Sequence, residues 1–150
     1  MTEVVRLHDQ LCRSYWGNAW HGFSLKEVLT GVSAVKAASK PIHNAHSIWE
    51  IVLHLNAWLD AARRRIEGEK LNLTDEQDWP ALKKKGPQAW KETLQALENS
   101  QIRLQDTVKQ LSDERLNEML TGGEYSVYFQ LQGIIQHTLY HTGQIALLRK

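Results

Sequence analysis

Four long stretches of the chain place apolar residues at alternating steps of three and four, the spacing of one face of an α-helix. The predicted helices run from about Thr2 to Trp16, Ile48 to Glu67, Pro87 to Leu111 and Tyr128 to the C-terminus. No alternating run of β-branched residues is sustained, so no sheet is expected. Four amphipathic helices with one apolar seam each predict an all-α four-helix bundle, and 150 residues suit a single domain over 1–150.

The second predicted helix has clear signals at both ends. Ser47 is followed three residues later by Glu50, a spacing typical of a capping box. We therefore assign Glu50 to the helix cap in preference to a metal ion. At the other end Arg63–Arg65 precede Gly68, and cations followed by a glycine are favoured at a helix C-terminus.

The links between the predicted helices are unequal in length. The first link, residues 17–47, contains Ser24–Thr30 and Ser33–Ser39, both typical of short helical turns. The second link, residues 68–86, is rich in Asp, Lys and Pro and is expected to be solvated. Because a link of that length can cross the whole bundle, the seams leave the order of the helices open.

Composition excludes several classes of function. The chain has 18 Lys and Arg against 17 Asp and Glu, a formal charge of +1. Nucleic-acid backbones are held by many uncompensated cations, so we expect no nucleic-acid partner. No run of about 18 apolar residues is present, so no membrane partner is expected either. The single cysteine, Cys12, and a start without an apolar signal segment favour a cytoplasmic protein.

Histidines carry the candidate chemistry, and two of the seven lie four residues apart in the last helix. His137 and His141 are in line with Ile134 and Leu148, on the side expected to face the bundle. Two imidazoles at this spacing can bind one metal ion. The spacing leaves a second interpretation open, in which both rings are core histidines hydrogen-bonded to neighbouring helices.

A third histidine strengthens the metal interpretation. His54 lies in the middle of the second helix beside the seam residue Leu55. Together with His137 and His141 it would form a three-histidine set in the bundle core with coordination positions left open. Gln144, three residues after His141, is a candidate to hydrogen-bond either a metal-bound water or the free N–H of a ligand imidazole.

The other four histidines are weaker candidates. His8 shares the seam of the first helix but has no second histidine at ligand spacing. His21, His43 and His46 fall in the first link and are expected to face solvent.

The stretches that carry the three candidate ligands, HSIWEIVLHLNAW and HTLYHTGQI, resemble the DinB-like (damage-inducible) family of metal-dependent four-helix-bundle proteins. The resemblance covers essentially the whole chain. It implies an up-down-down-up bundle, a divalent metal held by His54, His137 and His141, and frequent homodimers. Three imidazoles accept several metals, of which zinc and nickel are favoured here. Relatives include thiol-dependent S-transferases and isomerases that use low-molecular-weight thiols.

The resulting hypothesis is a small metalloenzyme that activates a thiol or water for transfer to a small-molecule substrate. Gln136, Thr138 and Tyr140 flank the histidine pair, so no general base is evident. Coordination itself deprotonates a thiol. The family resemblance, more than this chemistry, therefore favours an S-transferase over a hydrolase.

The alternative is a non-catalytic metal-binding or protein-interaction bundle. Three tryptophans at helix ends or in links could line a ligand mouth, bury in a dimer contact or plug the bundle ends: Trp16, Trp20 and Trp79. Apolar residues outside the seams favour a symmetric homodimer that covers them: Trp49, Val127 and Phe129.

Overall fold

The structure is a computed structural model that describes all 150 residues, and it contains only helices. The helices are α1 (Glu3–Trp16), α2 (Leu25–Leu29), α3 (Ala34–Ala38), α4 (Ile48–Ile66), α5 (Asp75–Asp78), α6 (Pro87–Lys109), α7 (Asp113–Leu116) and α8 (Val127–Leu148). The four long helices α1, α4, α6 and α8 are the predicted ones and form the predicted all-α bundle. No helix is both long enough and apolar enough to cross a membrane.

Side-chain caps start most of the helices, as their sequences predict. At α4 the Ser47 hydroxyl accepts the Glu50 N–H at 3.1 Å, and the Glu50 carboxylate accepts the Ser47 N–H at 2.7 Å. The same carboxylate lies 3.0 Å from the Lys40 ammonium. The assignment of Glu50 to the helix cap is confirmed.

Contacts between α1 and α6 show that these two helices run in opposite directions. Near the start of α1, the Val4 N–H donates to the carboxylate of Asp113, which follows the end of α6. Further along, the Gln101 amide donates to the Leu11 carbonyl. Gln101 interrupts the apolar seam of α6, and this hydrogen bond gives its buried side-chain NH2 group a partner.

The helices α4 and α6 run parallel to one another. The Trp49 indole donates to Thr93 near the start of both helices, and Thr107 donates to Glu67 near their ends. The two helices therefore point in the same direction along the bundle.

The last helix, α8, runs antiparallel to α4. The amide of Gln130, near the start of α8, donates to the carbonyl of Ala62, near the end of α4. His137, two turns further along α8, lies opposite His54, two turns earlier on α4. The directions of the four helices are up, down, down and up, which confirms the order implied by the family resemblance.

The parallel α4–α6 pair determines the path of the second link. Because α6 begins at the end of the bundle where α4 also began, residues 67–86 must return along the full length of the bundle. On the way, α5 and the following Trp79 pack over the middle of α4. The expectation of a solvated link is wrong for this part, since Asp78 and Trp79 are half-buried.

The surface proposed to be covered by a dimer is largely covered within the chain itself. Trp49 is only 1% exposed and Val127 is fully buried, whereas Phe129 is 64% exposed. Trp49 packs against Trp90 with the ring planes tilted by 56°, because α4 packs on α3, α6 and α8 and buries more than its heptad seam. Two of the three residues therefore do not support a dimer.

Candidate metal centre

The three candidate ligands approach one another through their Nε2 atoms. The Nε2 atom of His137 lies 2.9 Å from Nε2 of His54 and 3.1 Å from Nε2 of His141. The helix α8 supplies the pair at four-residue spacing, and α4 supplies the third ring from the opposite side. The ligand atoms of the set all lie within 4.8 Å of one another, so one ion placed between them can reach all three.

The cluster lies in a groove between α4 and α8, and His54 on α4 reaches across it to His137 on α8. The Asp78–Trp79 segment of the second link covers the groove. His54 and His141 are each 5% exposed, and His137 is half-buried.

In His54 and His141, a hydrogen bond at Nδ1 determines which ring nitrogen carries the proton. The Nδ1–H of His54 donates to the Asp78 carbonyl at 2.7 Å, with the Asp78 carboxylate 3.1 Å away. The Nδ1–H of His141 donates to the Gln144 side-chain oxygen at 2.6 Å. This contact is one of the two predicted for Gln144. In both neutral rings the Nε2 atom then bears a lone pair.

The resulting electrostatics favour a cation between the rings. The Nε2 lone pairs of His54 and His141 both point at Nε2 of His137, which in a neutral ring has at most one hydrogen to donate. A divalent ion accepts all three lone pairs at once. The donor chemistry of the set thus fits a metal whose ligands are oriented by hydrogen bonds behind them.

Burial keeps the cluster in the neutral form that a metal requires. Burial, together with the neighbouring rings of His141 and His54, lowers the pKa of His137 to about 4. Burial also lowers the pKa of His54, against the opposing effect of the contact with Asp78. The imidazoles are therefore neutral at physiological pH and available as ligands.

An aromatic stack, absent from the sequence prediction, covers one side of the cluster. The Trp79 indole lies parallel to the His54 ring with centroids 3.8 Å apart, and the His46 ring lies on the other indole face at 3.6 Å. The ring of His46, expected to face solvent, is thus exposed on one side only. The Trp58 indole donates to the Asp78 carboxylate at 2.6 Å and fixes it beside His54.

The sequence contains only a weak indication that the Asp78–Trp79 segment lies at a defined position. Thr74 and Gln77 form a capping box that starts α5, and that pattern could have placed Asp78 at a helix end. The packing of α5 on α4 follows from the parallel helix order, which no local pattern shows.

The other sequence candidates lie elsewhere. His8 packs 3.7 Å from the Cys12 sulfur on α1, and the exposed His21 ring contacts the Phe23 carbonyl. Of the three tryptophans at helix ends or in links, only Trp79 lies at the site, while Trp20 is completely exposed.

Two cavities of about 390 Å³ each flank the cluster. The first, which we call the Trp58 cavity, contacts His54 and His137 and runs along Trp58 to Arg65. The second contacts His141 on the far side of Trp79. Both volumes suit small molecules, so the cluster can be approached from two sides.

Comparison with curated proteins gave no match. Comparison with protein families gave a match to the DinB superfamily over residues 23–145. The match extends from just before α2 into the last turn of α8 and includes His54, His137 and His141. The chain belongs to the DinB superfamily.

Proposed function

We propose that the protein is a small metalloenzyme in which His54, His137 and His141 hold one divalent ion. The observation that carries this proposal is the convergence of the three Nε2 atoms, two of which bear lone pairs because their Nδ1 protons are engaged elsewhere. Three protein ligands leave at least one coordination position for an exogenous group. Three imidazole donors suit several divalent metals, and we propose zinc or nickel.

A divalent ion in this position would act as a Lewis acid and lower the pKa of a thiol or water that binds to it. The protein contributes orientation and shielding. The acceptors behind His54 and His141 hold both rings in the ligand tautomer, and Trp79 keeps water from one face of the cluster.

A small-molecule thiol is the nucleophile that the surroundings favour. The carboxylates nearest the site are already engaged, that of Asp78 by the Trp58 indole and that of Glu50 by the α4 cap. A metal-bound thiol depends less on a general base than water does, because coordination itself deprotonates it. The chain's own Cys12 lies on α1 beside His8, so the thiol must come from solution.

The proposed reaction is the transfer of this thiol to an electrophilic carbon. A carbon–sulfur bond forms, the leaving group departs with the electrons of the bond that breaks, and the thiol proton passes to solvent. The two cavities beside the cluster provide separate places for the thiol and for its acceptor.

The second candidate is a non-catalytic metal-binding or interaction bundle, favoured by one exposed surface. Trp20 is fully exposed and Phe23 is 72% exposed, both in the first link and remote from the cluster. Large exposed aromatic groups on one segment are typical of a contact with another protein.

The experiment combines metal content with catalysis. Protein expressed with zinc supplied, and separately with nickel, should contain about one ion per chain by elemental analysis. His54→Ala should lose most of it, whereas the matched control His8→Ala, a histidine outside the cluster, should retain it.

Catalysis is then measured with cysteine as thiol and monobromobimane as acceptor, whose thioether product fluoresces. We expect the loaded protein, but not His54→Ala, to exceed the uncatalysed rate. Stoichiometric metal without any acceleration would favour the non-catalytic bundle. Absence of bound metal would refute the metalloenzyme and leave the protein-interaction bundle as the remaining candidate.

A further inference from the structure

A buried arginine near the end of α4 has no acidic partner. Arg65 is only 9% exposed, and its guanidinium donates to the Leu71 carbonyl at 2.8 Å and to the Tyr125 hydroxyl at 3.0 Å. The neighbouring Arg63 and Arg64 pair with surface carboxylates. All three arginines lie in the last turn of α4, as predicted, but only Arg65 is buried and lacks a carboxylate partner.

The absence of a counter-ion at Arg65 is unusual for a buried charge. Both acceptors of its hydrogen bonds are neutral, so they satisfy donors without neutralising the guanidinium. Buried charges in proteins are nearly always paired, because a cation removed from water is destabilising unless an anion lies beside it. An anion is therefore expected at this position, and the chain does not supply it.

Arg65 lines one end of the Trp58 cavity, and the histidine cluster lines the other. Side chains on a helix lean toward its N-terminus, and the Arg65 guanidinium accordingly lies back over the Trp58 ring, 5.4 Å from its centroid. Phe129 and Ile134 complete an apolar wall between the two ends. The cavity thus has a cation at one end, the candidate metal ligands at the other, and an apolar middle.

We propose that the Trp58 cavity binds a small monocarboxylate with an apolar body, its carboxylate on Arg65. One guanidinium matches one carboxylate in charge and in its forked hydrogen-bonding geometry. The only acidic residue that lines the cavity, Asp78, is held beside His54 at the opposite end, so it does not compete for Arg65.

The direction of this ligand, with its reacting carbon at the histidine cluster, rests on the proposed function. The contact between its carboxylate and Arg65 does not, because it depends on the cavity and the unpaired charge alone. Under the proposed function the monocarboxylate is the acceptor that receives the thiol.

The test compares phenylpropionate with phenylpropionamide, which have the same apolar body and differ in charge. Binding is measured by isothermal titration calorimetry on metal-free protein, so that the carboxylate cannot bind a metal. The acid should bind about tenfold or more tightly than the amide, as expected for a hydrogen-bonded charge pair.

Two variants test whether the preference for the acid over the amide depends on Arg65. Arg65→Gln should bind acid and amide equally, and Arg65→Lys should keep part of the preference. The control Arg103→Gln, which removes an exposed arginine that also lacks an acidic partner, should keep all of it. Circular dichroism checks that each variant folds, and the comparison of acid with amide on the unaltered protein stands even if Arg65→Gln does not fold.

Equal affinities of the unaltered protein for acid and amide would overturn the proposal. So would a preference for the acid that persists in Arg65→Gln, or one that appears only after loading with zinc. The last result would leave the metal site intact, because the carboxylate would then be a metal ligand. A preference that depends on Arg65 in a protein that binds no zinc would instead support the anion site and refute the proposed function.

Discussion

Replacing Gln144 with alanine removes the acceptor that orients His141, and no other group of the chain replaces it. The single hydrogen bond at His141 Nδ1 is the one to the Gln144 oxygen, at 2.6 Å. His54 is a poorer place for such a test, because one of its two acceptors is the backbone carbonyl of Asp78, which survives any side-chain change.

The expected loss in metal affinity follows from this one contact. A hydrogen bond between neutral groups contributes about 0.5–1.5 kcal/mol net. Groups that orient a ligand imidazole typically change metal affinity by about 10- to 100-fold. With one neutral amide as the only orienting group, we expect Gln144→Ala to bind zinc about tenfold more weakly, equivalent to about 1.4 kcal/mol.

The assay is a zinc titration in competition with a chromophoric chelator at about pH 7.5, where imidazoles are neutral. Burial lowers the pKa of His141 and the Gln144 contact raises it, but neither effect matters once the ring is deprotonated. Gln136→Ala, an exposed glutamine on the same helix, is the matched control. A zinc affinity of Gln144→Ala within about twofold of the control would show that Gln144 does not orient a ligand.

Three further predictions concern the pH, the helix cap and the assembly. Burial and the neighbouring imidazoles lower the pKa of His137 from 6.5 to about 4. As the pH falls, this imidazole therefore binds its proton at a higher pH in the unfolded chain than in the folded, metal-free protein. The free energy of unfolding from urea titrations should decrease between about pH 6.5 and pH 4, and less so in His137→Ala; identical slopes would contradict this. Glu50→Gln should retain the zinc content of the unaltered protein, because glutamine also completes a capping box; loss of zinc would make Glu50 part of the site. The homodimer remains a prediction from the family resemblance and the exposed Phe129, and light scattering should return twice the monomer mass of 17.3 kDa; the monomer mass would refute it.

The heptad seams predicted the four long helices, because each helix buries one continuous apolar stripe. The same seams could not show which helices are neighbours, since an apolar stripe carries no label for its partner. That order came from the family resemblance, and hydrogen bonds such as Gln101 to Leu11 confirm it. The exposure of Trp49 was predicted wrongly for a related reason: α4 contacts α3, α5, α6 and α8, and a single seam describes only one face.

The three histidines could be chosen from the sequence because their spacing and their helices are local properties. The surroundings of the three histidines could not be predicted from the sequence. Asp78 and Trp79 reach the site through a link whose path depends on α4 and α6 being parallel. The position of Arg65 in the last turn of α4 was predicted, but its burial was not, because a run of arginines at a helix end has the same pattern whether its members are exposed or buried.

X-ray absorption at the zinc edge of the zinc-loaded protein tests the three-histidine centre most directly, because it reports the atoms bound to the metal. We expect three imidazole nitrogens at about 2.0–2.1 Å, with the remaining position taken by a light atom. In His54→Ala the number of imidazoles should fall. A first shell with no more than one imidazole, or with the Cys12 sulfur at about 2.3 Å, would contradict the proposed metal centre.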